Sequence, residues 1–351
     1  MPKKRRLRPA TFLIIVLLSA VLITLVWVGM PYSGRGDDDA KRFGARFSVP
    51  NEEQRLGAIG PTDELTPLLQ NAFNPQHDFQ PLPKPGPTDW LTDHVEFGQT
   101  FEQFVAQQPK RPDEERSRIY ILPLGEFDPD GTQTFAELQA CAEAFFQLEV
   151  KILPAAELAE LQITNRINRQ SGRRQYLTVD LLELLRQKIP PDAYCLVGLT
   201  MEDLYAGDKW NFVFGFASLR DHVGVFSLAR NDPSFYGRQR NPGDAPLITR
   251  RGCRMLCHET GHIFGMLHCT YFSCLMNGSN HLEEADAQPM HLCPICLRKL
   301  SWKRGDAEFV ARRYEQLEHA FKQLGLEDDA RWIANRRARF GEEDSATIEG
   351  R

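Results

Sequence analysis

The sequence has 351 residues, of which 42% are hydrophobic and 25% are charged, so it can form one or two folded domains with a buried core. This composition excludes a fibre and a wholly disordered chain. The chain carries −5 overall, and because five cations fall within its first ten residues, the remainder carries about −10. An acidic body argues against a nucleic-acid partner, which would need a basic face.

An uncharged stretch follows the basic first ten residues. Thr11 to Met30, TFLIIVLLSAVLITLVWVGM, is long enough to cross a bilayer as a helix. A cleavable signal peptide is the alternative, although its apolar region is usually shorter and ends in small residues, unlike WVGMPYSG. The cations before the span and the GDDD run after it predict a single-pass membrane anchor. Residues 1–10 would form a cytoplasmic tail, and the body of the chain would lie on the outer side.

The next segment, residues 31–115, is rich in Pro, Gly and polar residues. It is predicted to be a stalk and an irregular lead-in, with a short helix from Phe101 to Gln107.

A regular pattern begins at Arg118. Strands are predicted for RIYILPLGEF, EVKILP, AYCLVGLT, WNFVFGFASL and VGVFSLAR, and helices for TFAELQACAEAFFQL and TVDLLELLRQKIP. Thr178 is a candidate cap of the second helix. AYCLVGLT is nearly all apolar and is therefore predicted to be central. This order of elements predicts an α+β fold, with a mixed β-sheet and helices packed against it.

The segment from 301 to 351 is predicted to be helical. Val310, Leu317 and Leu324 recur at helical spacing, which marks a closing amphipathic helix. The Arg-rich stretch Arg331–Arg339 is interpreted as a solvated helix face.

The segment CHETGHIFGMLHCTYFSCLM, residues 257–276, collects many potential metal ligands. His258 and His262 are four residues apart, so on a helix their imidazoles lie on one face and can share one Zn²⁺. Glu259 can reach a water at that metal without being a ligand. Gly265 can end the helix in a left-handed turn and bring His268 back as a third ligand. The pattern H-E-x-x-H-x-x-G-x-x-H therefore predicts a catalytic zinc site in residues 116–300.

Four cysteines follow a second metal-binding pattern. Cys269 and Cys274 are followed by Cys293 and Cys296, and four thiolates at this spacing are typical of a closed structural zinc site. C-x-x-C on its own could be redox-active, but no thioredoxin-like strand precedes it. The sequence thus predicts two zinc ions per chain.

The remaining cysteines have no assigned role: Cys141, Cys195, Cys253 and Cys257. Cys253 and Cys257 are one helical turn apart, which is a poor geometry for a disulfide, and they are interpreted as small buried thiols that pack a helix.

The segment HETGHIFGMLHCTYFSCLM followed by CPIC resembles the archaemetzincins. The stretches WLTDHVEFGQTFEQF and RIYILPLGEF are also similar to that family, and the resemblance covers roughly residues 85 to 325. It implies a metzincin-like zincin fold, zinc-dependent hydrolysis of peptide bonds, and a peptide or protein substrate. It also implies catalytic zinc ligands at His258, His262 and His268, with Glu259 as the base and Met276 as the methionine of a tight turn below the zinc. The cysteine tetrad would hold the structural zinc.

Two other functions remain as alternatives. A catalytically silent, zinc-stabilised and membrane-anchored scaffold could bind a protein partner, although such a scaffold does not need Glu259 beside the metal. A cysteine ribbon that binds nucleic acid or protein is disfavoured by the acidic body. For a peptidase, the strands before the active-site helix could supply a sheet edge that binds an extended peptide, or both could be interior strands.

Overall fold

The computed structural model describes residues 46–127, 135–304 and 307–348. The strands within these ranges are β1 (Arg118–Leu124), β2 (Glu149–Ile152), β3 (Asn165–Ile167), β4 (Arg174–Leu177), β5 (Ala193–Thr200), β6 (Asp203–Tyr205), β7 (Gly215–Ser218) and β8 (Val223–Ser227). The helices are α1 (Glu52–Ile59), α2 (Pro67–Phe73), α3 (Trp90–Asp93), α4 (Phe101–Ala106), α5 (Phe135–Phe146), α6 (Thr178–Lys188), α7 (Ala245–Ile263), α8 (Leu282–Asp286), α9 (Pro294–Ser301), α10 (Ala307–Gln323) and α11 (Glu327–Ile348).

The main sheet has five strands in the order β2-β1-β5-β8-β7. Its first four strands are parallel, because helical crossovers such as α5 return the chain to the same end of the sheet. Only a short turn joins β7 to β8, so this pair is antiparallel and β7 forms one edge. A smaller sheet has the order β3-β4-β6. The predicted mixed sheet with helices against it is confirmed, and the apolar strand β5 is central as predicted.

The main sheet separates two hydrophobic cores, because alternate side chains of a strand point to opposite faces. Ile119 and Ile121 of β1 face the core that contains α5, α7, α9 and α10. Tyr120 and Leu122 face the core that contains α6. Helix α7 lies against β8 and β7, which places the H-E-x-x-H motif beside the edge of the sheet.

Two predicted details of these elements are wrong. Leu177, not Thr178, is the N-cap of α6, and the buried Thr178 hydroxyl has no hydrogen-bond partner in the described part of the chain. Within WNFVFGFASL, only Gly215–Ser218 forms a strand of the main sheet, because the residues before it turn toward the smaller sheet.

The lead-in differs from the predicted stalk. Its described part, from residue 46, contains α1 to α4 and contributes buried side chains such as Ala72, Phe73 and Phe104 to the main core. Pro81 also forms a β-bridge with Phe272, between the first two cysteines of the tetrad. The apolar residues of this segment are too irregularly spaced to show a helical or strand period, so their packing could not be predicted from the sequence. The short helix predicted at Phe101 is present.

The Arg-rich stretch of α11 is not uniformly solvated. Arg331 is exposed, but Arg336 is buried and pairs with Asp78 of the lead-in at 2.7 Å. The prediction of a solvated face therefore fails at Arg336, because the lead-in covers that side of the helix.

The predicted membrane anchor and localisation require correction. No helix in residues 46–127, 135–304 or 307–348 is long and apolar enough to cross a bilayer. The span predicted from Thr11 to Met30 lies outside the described residues. The predicted localisation of the catalytic domain on the outer side of a membrane is corrected accordingly, since no described helix supports a membrane anchor or a membrane partner.

Candidate active site

Helix α7 carries His258 and His262 in its last two turns. Pro246 lies in its first turn, where a missing N–H costs little, and a broad face of the helix is buried. The helix ends at Ile263, and Gly265 follows with φ of 85°. The amide of Gly265 donates to the His262 carbonyl at 2.7 Å. This left-handed turn reverses the chain and returns His268 toward α7.

Gly261 lies inside α7, where glycine costs about 1 kcal/mol relative to alanine. The reason for a glycine here is the contact with Met276. A methyl group added at Gly261 would lie 2.6 Å from the Met276 sulfur and 3.1 Å from the Met266 terminal carbon. Met276 is fully buried below the histidines, so Gly261 provides the space that this side chain occupies.

The three histidines converge through their Nε2 atoms. His258 Nδ1 lies 2.8 Å from the Leu275 carbonyl, and His262 Nδ1 lies 2.7 Å from the Met266 carbonyl. A carbonyl can only accept, so both Nδ1 atoms carry the proton and both Nε2 atoms present lone pairs. These two Nε2 atoms are 3.1 Å apart, close to the ~3.3 Å that two ligands of a tetrahedral zinc show at Zn–N distances of about 2.0–2.1 Å.

The third histidine has a carboxylate partner. His268 Nδ1 lies 3.0 Å from each carboxylate oxygen of Glu96, in the lead-in. Burial alone would raise the pKa of Glu96, but the charge and hydrogen bond of His268 lower it below its ordinary value. One ligand atom from each of His258, His262 and His268 lies within 4.8 Å of the others. Burial alone would lower the pKa of His268, but the charge and hydrogen bond of Glu96 raise it above its ordinary value, so this ring would lose its second proton on binding a metal. Three imidazoles that are neutral in this way would fit a zinc ion with an open fourth position.

The protonation of these histidines also suits a metal. Burial lowers the pKa of His258 well below its ordinary value and lowers the pKa of His262 to about 3. Both rings are therefore neutral at physiological pH, which is the form that binds a cation.

The four cysteines of the predicted tetrad form a second cluster. Their Sγ atoms all lie within 4.8 Å of one another, and Cys269 Sγ is 3.6 Å from Cys293 Sγ. Thiolates of a tetrahedral zinc with Zn–S of about 2.3 Å are ~3.8 Å apart, so the cluster fits that ion. Cys293 is the N-cap of α9 and Cys296 lies in its first turn, where the helix dipole favours thiolates. The adjacent thiols lower the pKa of Cys269 well below its ordinary value. Burial raises the pKa of Cys293, and the hydrogen bonds with neighbouring thiols raise the pKa of Cys296, so these two would lose their protons on binding a metal.

Asn277 ties the two clusters together, and the sequence did not reveal it. Its side-chain oxygen accepts from the Cys274 amide at 2.7 Å, and its side-chain nitrogen donates to the Cys269 carbonyl at 2.6 Å. The Cys269 amide in turn donates to the Met276 carbonyl at 2.8 Å. Asn277 thus closes one loop that carries two of the cysteines and also the Leu275 carbonyl bonded to His258.

The other four cysteines are buried and form no disulfide. Cys141 of α5 approaches Cys257 of α7, with the two Sγ atoms 3.9 Å apart. These thiols pack the interface between the two helices, as the interpretation of Cys253 and Cys257 expected.

A family model of peptidase family M54 matches residues 151–302. Archaemetzincin-2 from Homo sapiens is 39% identical over 280 residues, which cover 71% of this chain and 77% of that protein. The chain belongs to the archaemetzincin family. Archaemetzincin-1 from Homo sapiens is 33% identical over 290 residues, which cover 75% of this chain and 57% of that protein. A crystal structure of archaemetzincin from Methanopyrus kandleri is 28% identical, with a TM-score of 0.43, and covers 55% of this chain and 99% of that one.

Membership of this family makes the protein a zinc metallopeptidase, as the sequence predicted, and zinc its expected cofactor. The histidines of this archaemetzincin line a cavity of about 470 Å³. Glu259 lines the same cavity, and burial raises its pKa to about 7, although His268 and Arg254 partly oppose the rise. A carboxylate with a pKa near neutrality can both take up and release a proton at physiological pH.

The cavity has one wall from β7 and another from the lead-in. Residues 212–217, which include the first three residues of β7, line one side, and Trp90 lines another. Trp90 contacts the His268 ring edge-on, with centroids 5.2 Å apart. It also packs on Gly278, where a methyl group would lie 2.6 Å from the Trp90 ring. The lead-in therefore contributes directly to the site.

The sequence prediction missed Glu96 and Trp90, which both lie in the stretch WLTDHVEFGQTFEQF. Its similarity to the family lead-in was the one available signal, because neither residue belongs to a local motif. Their partner His268 is 172 residues from Glu96 in the sequence.

Proposed function

We propose that this archaemetzincin hydrolyses peptide bonds with His258, His262 and His268 as ligands of a catalytic zinc and Glu259 as the general base. The observation that carries the proposal is the arrangement of the three imidazoles, whose Nδ1 atoms are held by acceptors while their Nε2 atoms converge beside Glu259. When bound, zinc supplies Lewis acidity that lowers the pKa of water and polarises a peptide carbonyl.

Glu259 moves the proton in this proposal. Its carboxylate accepts a proton from the water that attacks the peptide carbonyl, and it later donates that proton to the departing amine. The pKa of about 7 that burial gives to Glu259 supports both steps at neutral pH. Glu96 acts behind His268, because its carboxylate holds the ring in the orientation that presents Nε2 to the metal.

Strand β7 is the proposed binding edge for the substrate. It is the last strand of the main sheet, and it lines the cavity that contains Glu259. An extended peptide that adds to this edge gains backbone hydrogen bonds and passes in front of the histidines. This arrangement favours the earlier hypothesis of an edge strand over that of two interior strands.

A second, structural zinc at Cys269, Cys274, Cys293 and Cys296 completes the proposal. The spacing of the four Sγ atoms supports it. The cysteine tetrad is fully buried, and a buried cluster of thiolates needs a cation to balance its charge. We therefore propose two zinc ions per chain.

The test is Glu259→Gln in the full-length protein. Because Gln cannot accept the proton but preserves the shape, we expect kcat/KM to fall by about 10² or more, while zinc content stays unchanged. Glu202→Gln is the matched control, since Glu202 is a partly buried acid outside the cavity. The measurement is peptide hydrolysis together with metal analysis of both variants. Activity of Glu259→Gln within a few-fold of wild type would show that another group is the base, and absence of cleavage by wild type would favour the scaffold alternative.

A further inference from the structure

Arg254 lies in the same cavity as Glu259 and has no role in the mechanism above. It precedes His258 by four residues on α7, so the two side chains share one face of the helix, about 6 Å apart along its axis. Arg254 therefore lies one helical turn from the metal ligands, along the wall that a bound substrate would follow.

The guanidinium of Arg254 is buried but poorly satisfied. The residue is 7% exposed. In the described part of the chain, its one hydrogen bond is from Nη2 to the Asn277 carbonyl, at a long 3.4 Å, and its Nε has no partner. A buried guanidinium without a carboxylate is costly, so this arrangement calls for an acceptor from outside the chain.

The adjacent arginines of α7 show the contrast. Arg250 contacts both carboxylate oxygens of Asp329, and Arg251 contacts both carboxylate oxygens of Asp286, with shortest distances of 2.7 and 2.6 Å. Arg254 has no carboxylate within 4.0 Å among the residues that the structure describes. Asp286, which lines the cavity, is thus already held by Arg251, and Glu259 acts on Arg254 only at longer range.

A second donor in the cavity wall lacks a partner. Asn231 lines the cavity and is 4% exposed, and its side-chain nitrogen has no acceptor among the described residues. Its carbonyl accepts from Arg251 Nη1 at 2.9 Å, which connects this residue to the face of α7 that carries Arg254. Arg254 Nε and Asn231 Nδ2, together with Trp90 Nε1 on another wall, are unsatisfied buried donors of this cavity within the described ranges and indicate a ligand with acceptor oxygens.

The charges of the cavity favour an anion. Burial lowers the pKa of Arg254 to about 10, so the group remains cationic at neutral pH. A carboxylate ligand would give Arg254 the charged hydrogen-bond partner that it lacks among the described residues.

We propose that Arg254, with Asn231, forms a carboxylate-binding subsite that selects peptides with a carboxylate close to the bond that is cleaved. Each residue of an extended peptide spans about 3.3–3.6 Å, so a carboxylate at Arg254 belongs to a residue within about two positions of that bond. The carboxylate can come from an Asp or Glu side chain or from the free carboxyl terminus. This proposal rests on the peptidase function, which supplies the bond.

The experiment compares matched peptides with the full-length, zinc-loaded protein. One set carries Glu or Gln at each position in turn, and a second set ends in a free acid or an amide. We expect the carboxylate member of one pair to be cleaved with a kcat/KM at least about tenfold higher than that of its neutral counterpart. A factor of about ten corresponds to the smallest contribution expected from a hydrogen bond to a charged group. The pair that shows the preference identifies the source of the carboxylate.

Arg254→Gln should reduce this preference to within about twofold. The preference is a ratio of two peptides measured in one variant, so a change in the basal rate through the effect of Arg254 on Glu259 does not enter it. Arg254→Lys should retain part of the preference, because the charge remains but the bidentate geometry is lost. Arg250→Gln is the matched control on the same helix, since Arg250 lies outside the cavity lining. Calorimetric titration of succinate into the zinc-loaded variants measures binding without turnover. Arg254→Gln should weaken the affinity for succinate about tenfold.

Equal cleavage of all charged and neutral pairs by wild type would overturn the subsite while leaving the peptidase function intact, and this comparison needs no variant. A preference that survives in Arg254→Gln would overturn it as well. If wild type cleaves no peptide but binds succinate in a manner that depends on Arg254, the subsite holds and the peptidase proposal fails. Zinc content and melting temperature show whether Arg254→Gln is folded. If Arg254→Gln is not folded, the peptide preference of Arg254→Lys and the comparison of matched peptides with wild type decide whether the subsite exists.

Discussion

At the scale of single residues, the most informative contact is the one between Glu96 and His268. Both oxygens of the carboxylate lie 3.0 Å from Nδ1, so the ring is held as the Nδ1–H tautomer and Nε2 is left for the metal. His258 and His262 instead use main-chain carbonyls for the same purpose. His268, the third proposed ligand, is on a turn and not on the helix, and a charged partner provides the orientation that helical geometry gives to the other two histidines.

Replacement of Glu96 by Gln should therefore weaken zinc binding. A neutral amide accepts a weaker hydrogen bond from His268, so we expect the affinity for the catalytic zinc to fall by about 10- to 100-fold. The measurement is competition with a chelator of known affinity. Glu102→Gln, on the exposed face of α4, should leave the affinity unchanged. Equal affinities of Glu96→Gln and wild type would mean that the turn alone orients His268.

The contact between Gly261 and Met276 gives a second prediction at this scale. Gly261→Ala should destabilise the protein by about 1–3 kcal/mol, because the added methyl group overpacks the core beside the Met276 sulfur. Gly57→Ala is the matched control, since Gly57 also lies inside a helix but has no atom within 4 Å of an added methyl group. The higher helix propensity of alanine should stabilise that variant by up to about 1 kcal/mol. Thermal and urea unfolding measure both, and a stabilised Gly261→Ala would contradict the packing argument.

At the scale of elements, the loop from Cys269 to Asn277 belongs to both metal clusters. It follows His268 directly, and its Leu275 carbonyl accepts from His258. Asn277 closes the loop on itself, and the Cys269 amide donates to Met276. A structural zinc that holds Cys269 would thus also fix the position of the third catalytic ligand.

This shared loop predicts coupling between the two metals. Cys269→Ser should weaken the structural site and also lower peptidase activity by about tenfold or more, as displacement of a supporting group does, although Cys269 does not face the histidines. Cys296→Ser is the matched control, because Cys296 lies on α9 and is far from His268 in the sequence. Its effect on activity should be smaller. Zinc stoichiometry and peptidase rate are measured for both variants beside wild type, and full activity in Cys269→Ser with loss of one zinc would show that the sites are independent.

At the scale of the whole molecule, the lead-in is a structural part of the active site. It pairs with the cysteine loop at Pro81 and Phe272, and it is held by α11 through the ion pair of Asp78 with Arg336. Arg336 also donates to the carbonyls of α2 and of the residues after it. Because the lead-in carries Glu96 and Trp90, the closing helix at the other end of the chain supports the site indirectly.

Removal of Arg336 should therefore destabilise the protein strongly. Arg336 is 4% exposed and Asp78 is 9% exposed at their side chains, so Arg336→Ala leaves this buried carboxylate with only the half-exposed Arg339 and should cost up to about 3–5 kcal/mol. Arg331→Ala is the control on the same helix, since Arg331 is 68% exposed at its side chain and should change stability by no more than about 0.5 kcal/mol. Denaturant unfolding measures both. A small effect of Arg336→Ala would mean that Arg339, 3.0 Å from Asp78, can replace it.

The sequence by itself determined the features that depend on local spacing. Three such features depend only on backbone geometry within a few residues, which is the same in any fold. They are the four-residue spacing of His258 and His262, the glycine at the helix end, and the alternation or continuity of apolar residues in the strands. A zinc-binding pattern and the mixed sheet could therefore be predicted, and the family followed from the resemblance of the motif segment to the archaemetzincins. The tertiary structure decided which distant residues meet. Glu96, Arg254 and Asn277 obtain their partners only when the lead-in, α7 and the cysteine loop pack together, because contacts between residues far apart in the sequence leave no periodic signal.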